Sequence, residues 1–493
     1  MIPRLPGWRR APIRLLAALG MAVVVTAGAL PVAAAEHHQS RPGSAEPPDP
    51  YFPELGNRGY DVAHYDLGLR YKPSTGELRG DTRITASATA PLRRFHLDLV
   101  GMDVASVMVD GRPAKVRRTG GELVVQLRAA ISKGDDFRVR VRYSGTPGTG
   151  SIPGLGAPNG WLRSDDGVIT LNEPDGARTW FPANDHPTDK ASYTFHIEVP
   201  TPLAAVANGD LRSREDDGTR TTWTWDQPAP MATYLTQLAI GNLSVEDAAP
   251  AEGVAIRNAF APGVRASAEP AAARTPEMLT FLSSWFGPFP FTTYGVLAPD
   301  SGISGVAFEA QTFSLFAPDV FTDPGLASTI LAHEMAHQWF GDWVSPASWE
   351  ETWLNEGFAT YAEWLWSDAA LGVPLHRNVE SAYASAAADP GRAARDPGRD
   401  AMFSRAVYER GALTLHALRS TVGDEAFART LRTYLDRFGG KTASTKDFIA
   451  VASKVADHDL SAFFADWLGP GAPPPLPTGG STAGSTAPAS LAV

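Results

Sequence analysis

The stretch 330-ILAHEMAHQWFGDWVSPASWEETWLNEGFATYAEW-364 holds two histidines four residues apart, a glutamate directly after the first, and another glutamate 19 positions beyond the second. Residues four apart share a helical face. On a helix from about Gly325 to Gly341, His333 and His337 therefore present their imidazoles together while Glu334 turns to the open side. That spacing suits one zinc ion. Glu356 stands near the start of a second helix, far enough along for a helix end, a loop and a return, and it completes a His, His, Glu set with a fourth position left for water. A chance pairing of two partly buried histidines is the competing reading.

Around this motif, from about Pro250 onward, apolar residues recur at helical spacing, as in Phe427, Leu431, Leu435 and Phe438. The segments before Leu243 differ: 62-VAHYDLGLRY-71, 122-ELVVQLRA-129, 137-FRVRVRY-143, 193-YTFHIEV-199 and 220-RTTWTWD-226 alternate with period two. Such alternation, broken by Gly, Asp and Pro, reads as antiparallel strands covered on one face. At 493 residues, 43% of them apolar, the chain is long enough for at least two domains. The expected organisation is an all-β domain over 58–247 and a mainly α-helical catalytic domain with a small sheet over 248–469.

The ends read differently. Residues 1–35 place Arg4, Arg9, Arg10 and Arg14 ahead of an uncharged run closed by Ala33–Ala35, the pattern of a secretory signal peptide; the competing reading is an uncleaved membrane anchor. Removing these residues takes the formal net charge from −11 to −15, which argues against nucleic acid or anionic lipid as a partner. No stable membrane association is expected after cleavage, and the expected location is secreted, by bacterial export. The chain has no cysteine, so disulfides and thiolate ligands are excluded. Composition assigns 36–57 to a flexible linker and 470–493 to a disordered Pro/Gly/Ser/Thr-rich tail.

The motif stretch resembles the gluzincin aminopeptidases of the aminopeptidase N and leukotriene A hydrolase type. The likeness extends, in order, through 56-GNRGYDVAHYDLGLRY-71, 173-EPDGARTWFPANDHPTDKASYTF-195, 232-ATYLTQLAIGNL-243, 285-WFGPFPFTTYG-295, 303-ISGVAFEAQT-312 and 408-YERGALTLHALR-419. It implies a β saddle domain ahead of a thermolysin-like catalytic domain, with one zinc held by His333, His337 and Glu356. It further implies Glu334 as general base, Tyr408 as a hydrogen-bond donor to the oxyanion, and Glu309 and Glu173 as the pair that holds the substrate amine, beside a cleft strand carrying Ala307 and Phe308. Three departures stand out. The family's Gly-Ala-Met-Glu-Asn strand is 306-VAFEA-310 here, Leu171 replaces a frequent glutamine, and 463-FFADWLGPGAPPPL-476 resembles the end of the catalytic domain with no large helical domain after it.

The implied function is removal of N-terminal residues from peptides with a free N-terminus. Two alternatives keep other classes in play: a zinc endopeptidase with an open cleft, and a noncatalytic peptide-binding protein, whose signature would be loss of a ligand or of Glu334. His64, His96, His186, His196, His376, His416 and His458 lack ligand spacing and read as packing or surface residues, and Asp185 reads as a brace in the saddle domain. The preferred N-terminal residue and the oligomeric state are not legible.

Overall fold

A computed structural model describes residues 49–164, 167–300 and 302–477; the expected signal peptide and most of the tail lie outside them. Four of the five alternating segments lie in one eight-stranded sheet, while 122–129 lies in the strand Glu122–Ile131 of a separate three-stranded sheet with Leu92–Asp98 and Lys115–Thr119. The order of the eight-stranded sheet is Asp210–Asp216, Arg220–Met231, Ala191–Pro200, Tyr60–Lys72, Glu77–Ala88, Asp136–Gly145, Asp103–Val109, Arg112–Pro113. Along Tyr60–Lys72 the residues Tyr65, Leu67, Leu69 and Tyr71 point inward, after a register shift between Val62 and His64. One pairing departs from the antiparallel expectation: Tyr60–Lys72 runs parallel to Ala191–Pro200, from His64 opposite Ser192 to Arg70 opposite Glu198. The long connection between them removes the hairpin constraint that makes neighbours antiparallel.

A five-stranded sheet, ordered Ala204–Ala207, Leu238–Gly241, Val168–Leu171, Pro158–Arg163, Thr149–Ser151, lies deeper. Its first three strands are buried along their whole length, so they show continuous apolar runs in place of alternation. Leu171 is buried at the end of one of them, two residues before Glu173.

The second half opens with its own sheet, ordered Ser244–Ala251, Val254–Phe260, Val296–Ala298, Ser314–Phe316, Ala307–Phe308. The expected boundary at 248 thus falls inside a hairpin of this half. Among the described residues its helices are α1 (Arg265–Ala272), α2 (Thr275–Phe286), α3 (Pro324–His337), α4 (Trp353–Leu371), α5 (Leu375–Ala388), α6 (Gly411–Val422), α7 (Asp424–Phe438), α8 (Thr445–Ala456) and α9 (Ser461–Leu468). Helix α3 starts where Pro324 takes the first position and the Asp323 side chain accepts from Leu326 N at 2.9 Å. Helix α4 ends at Gly372 in the left-handed conformation (φ +68°).

Within both ends assigned to flexible segments, the described residues 49–57 and 470–477 make defined contacts. Asp49 accepts from Tyr51 N, Phe52 N and Trp349 N at 2.8–3.0 Å, Phe52 packs edge-on to Trp349, and Tyr51 Oη donates to Asp396 at 2.7 Å. The chain over 49–57 is therefore a strap held by both halves, at Trp349 and Asp396 on one side and at Asp98 and Asn184 on the other, because Tyr51, Phe52 and Leu55 supply buried apolar area that a Pro- and charge-rich average conceals. At the other end Gly471 N donates to Pro390 O at 2.6 Å, which lays the first residues of the expected tail beside α5.

Candidate metal centre and active site

Helix α3 is buried on nearly every side, and its last two turns place His333 and His337 toward α4. Their Nε2 atoms lie 3.2 and 3.5 Å from Oε2 of Glu356, in the first turn of α4. Ligand atoms at about 2.0–2.1 Å from a tetrahedral zinc stand about 3.4 Å apart, so this donor set fits zinc without rearrangement. Two imidazoles and one carboxylate leave one position for water or substrate.

The remaining nitrogens fix which face of each ring looks inward. His337 Nδ1 is 3.1 Å from Phe340 O, which keeps the proton there and turns its Nε2 lone pair to the centre; His333 Nδ1 stands 2.6 Å from Oε1 of Glu363, a charged contact rather than an aligned hydrogen bond. Glu363 is absent from the sequence reading. It sits two helical turns after Glu356 on the same face of α4, and that seven-residue interval is the signal that finds it. Gln338 is a second omission: its Oε1 accepts from Thr312 N at 2.7 Å and its Nε2 donates to Glu309 O at 2.9 Å. It pins the Glu309 segment to the end of α3.

Glu334 lies in the same buried cluster. Oxygen atoms of Glu309 and Glu334 and a nitrogen of His337 are within 4.8 Å of one another, and so are oxygens of Glu173, Glu309 and Glu356. Burial pushes the Glu334 carboxyl up to about 8; His333 and His337 oppose the rise, while Glu309 and Glu356 add to it. Burial likewise raises Glu173 and Glu309, each reinforced by neighbouring carboxylates and, for Glu309, opposed by His337. Burial works against the Glu356 anion too, but His337 and His333 hold that carboxyl below its usual range. Glu173 Oε1 and Glu309 Oε1 have no hydrogen-bond partner. Buried carboxylate oxygens left in that state are costly, so the pair is built to meet a positive group.

Tyr408 sits on a one-turn π-helix, Ala406–Arg410, with its ring stacked on His333 at 6.1 Å and 16°. Burial and then the Glu356 and Glu173 charges raise its phenol well above the usual range, so the hydroxyl remains a donor. A close backbone approach sets its position. A Cβ on Gly357 would lie 2.9 Å from Gly411 Cα, so α4 and the start of α6 meet at a point only glycine allows.

All the residues singled out for metal, base and amine thus converge, together with Tyr408. Ala307 pairs with Phe316 on the edge strand, half-buried next to Glu309. Phe308 is different: its side chain is buried in the core shared with the β half, which leaves only its main chain for a substrate. Asp185 accepts from Thr233 Oγ1 at 2.6 Å and Arg178 N at 3.2 Å, as a brace does. No other group of three or more ligating side chains occurs among the described residues than those formed within this cluster.

Residues 62–235 match the Peptidase M1 N-terminal domain and residues 271–467 the Peptidase family M1 domain. The crystal structure of the M1 zinc metallopeptidase from Deinococcus radiodurans superposes with a TM-score of 0.82 at 34% identity, covering 88% of this chain and 99% of that one. A mutant of that enzyme bound to a Tyr-Ser-Ala substrate gives a TM-score of 0.81 at 35% identity, covering 87% and 98%. Among curated relatives, the leucyl aminopeptidase of Saccharolobus solfataricus is 26% identical over 83% of this chain and 53% of its own length. The human glutamyl aminopeptidase is 25% identical over 82% and 46%. The chain spans about half the length of the curated relatives it matches.

Proposed function

Since the chain belongs to peptidase family M1, we propose that it is a zinc aminopeptidase that releases single residues from the free N-terminus of peptides. The observation that carries this reading is the pair of unpartnered carboxylates, Glu173 from the β half and Glu309 from the catalytic half, beside the His333–His337–Glu356 donor set. A zinc ion held there supplies a Lewis acid for the scissile carbonyl and makes a coordinated water acidic near neutrality. The chain's own groups do the rest. Glu173 and Glu309 accept hydrogen bonds from the substrate ammonium and so register the first peptide bond against Glu334. Glu334 takes a proton from the attacking water on its carboxylate and delivers it to the departing amine nitrogen. The Tyr408 hydroxyl donates to the carbonyl oxygen as negative charge develops there. Buried Phe308 and the pinned Glu309 segment keep the clamp rigid.

Acetylating the substrate tests this. It removes the ammonium and leaves two carboxylates facing no cation, which should lower kcat/KM by at least about a hundredfold. Equal cleavage of free and acetylated peptides would hand the assignment to an endopeptidase. We also propose export, on the pattern of residues 1–35; N-terminal sequencing of protein recovered outside the cell, starting near residue 36, is the expected result. No helix among the described residues is long and apolar enough to cross a membrane.

A further inference from the structure

Glu173 stands on the loop 172–176, directly after the strand Val168–Leu171, and its Oε1 meets no hydrogen-bond partner. The main chain of that loop therefore sets where the charge stands. Gly176 N donates to Asn172 O at 2.7 Å and closes the loop on itself. The closed loop presses onto the neighbouring strand Pro158–Arg163, since a Cβ on Gly176 would fall 2.7 Å from Gly160 N and 2.8 Å from Asn172 Cα.

Two fully buried asparagines hold this loop. Asn172 Nδ2 donates to Thr236 O and, at 2.9 Å, to Thr236 Oγ1, while its Oδ1 accepts from Trp180 Nε1 at 3.1 Å. Asn159, on the neighbouring strand, reaches across to the other side: its Nδ2 donates to Asp175 Oδ1 at 2.8 Å and to Glu173 O at 3.3 Å. Both partners are acceptors, so the amide must turn its nitrogen to them. Its own Oδ1 is left without a partner, which costs stability in a buried site. What this amide contributes is its pair of donors, and both go to the loop that carries Glu173.

We propose that Asn159 is a positioning residue of the amine clamp. Buried and outside the zinc donor set, it acts on the reaction only by tying the Glu173 carbonyl to Asp175, so that the Glu173 carboxylate meets the substrate ammonium beside Glu309. The inference rests on the aminopeptidase reading. Asn159→Asp keeps the size of the side chain but sets an acceptor against a carbonyl and a second carboxylate, which drives the loop away from the strand.

Kinetics with an alanyl tripeptide amide, free and N-acetylated, test this in Asn159→Asp and in Asn159→Ala, which removes the donors without placing another carboxylate beside Asp175. Each variant should keep a full equivalent of zinc. Each should lower kcat/KM for the free peptide by roughly 10–100-fold, the cost of a clamp displaced by up to about 1 Å, and leave the acetylated peptide within about twofold. The same substitutions are then made in a Glu173→Ala background, where they should change kcat/KM by less than about twofold, because Asn159 acts through Glu173 alone. Losses that multiply in the double variants overturn the proposal. So does loss of fold or zinc in both single variants, which would make Asn159 a general structural residue. Should wild type cleave free and acetylated peptides equally, the aminopeptidase reading fails and takes this inference with it. If wild type discriminates and both Asn159 variants discriminate equally well, the inference alone is overturned.

Discussion

At the scale of single residues, the zinc ligands depend on groups that do not touch the metal. Glu363 is the clearest case, since its carboxylate, 2.6 Å from His333 Nδ1, favours a proton on that nitrogen, the tautomer that leaves Nε2 free to bind. Glu363→Gln should weaken zinc binding by about 10–100-fold, the usual cost of losing such a partner, measured by competition with a chromogenic chelator. An unchanged affinity would mean that packing alone orients the ring. Glu334 gives the opposite pattern. It lies within the cluster but outside the donor set, so Glu334→Gln should retain a full equivalent of zinc and lose at least about a hundredfold in kcat, because an amide cannot take the proton from water. Zinc content by metal analysis and kcat with a free peptide separate the two variants: one loses metal and the other loses turnover.

At the scale of elements, the approach of α4 to the start of α6 controls where Tyr408 stands. Gly357→Ala would gain about 1 kcal/mol of helix propensity, yet its new methyl would sit 2.9 Å from Gly411 Cα, and overpacking of that kind costs about 1–3 kcal/mol. The overpacking should win. A lower urea midpoint is expected, with kcat reduced and zinc kept, since Glu356 is anchored one residue earlier; higher stability with full turnover would sink this account. The same elements explain what the sequence reveals. His333, Glu334, His337 and Glu356 are legible because helix geometry converts fixed spacing into a shared face, and Tyr60–Lys72 is legible because one of its faces is wet. Val168–Leu171 and Leu238–Gly241 are not, since strands covered on both sides carry no alternation. Gln338 and Phe308 take their roles from partners distant in sequence, Thr312 and the β-half core, which no local pattern encodes. The strap at 49–57 escapes for a third reason: three buried apolar residues are lost in a polar average.

At the scale of the whole molecule, the clamp is divided between the halves, and the contacts joining them run to the zinc helix. Asn208 donates to Gln311 O at 2.8 Å and Gly209 N to Thr312 Oγ1 at 2.7 Å, both from the β half; Gln338 then ties the same segment to α3. On the other flank Tyr234 Oη donates to Gly341 O at 3.1 Å and Lys190 Nζ to the carbonyls of Asp342 and Trp343. Separating the halves would exchange these bonds for bonds to water at about 0.5–1.5 kcal/mol each and expose the apolar contacts around them. That cost is of the same order as the total stability of a domain, about 5–15 kcal/mol. The two halves should therefore unfold together. A ligand bound only by the native state stabilises everything that unfolds with its site, by RT ln(1 + [L]/Kd). Zinc touches residues of the catalytic half alone, yet its removal with a chelator should weaken hydrogen-exchange protection in the Tyr60–Lys72 and Ala191–Pro200 strands as much as in α3 and α4. Loss of protection confined to the helical half would show that the halves open independently, and Glu173 would then be held in place by the β half's own folding.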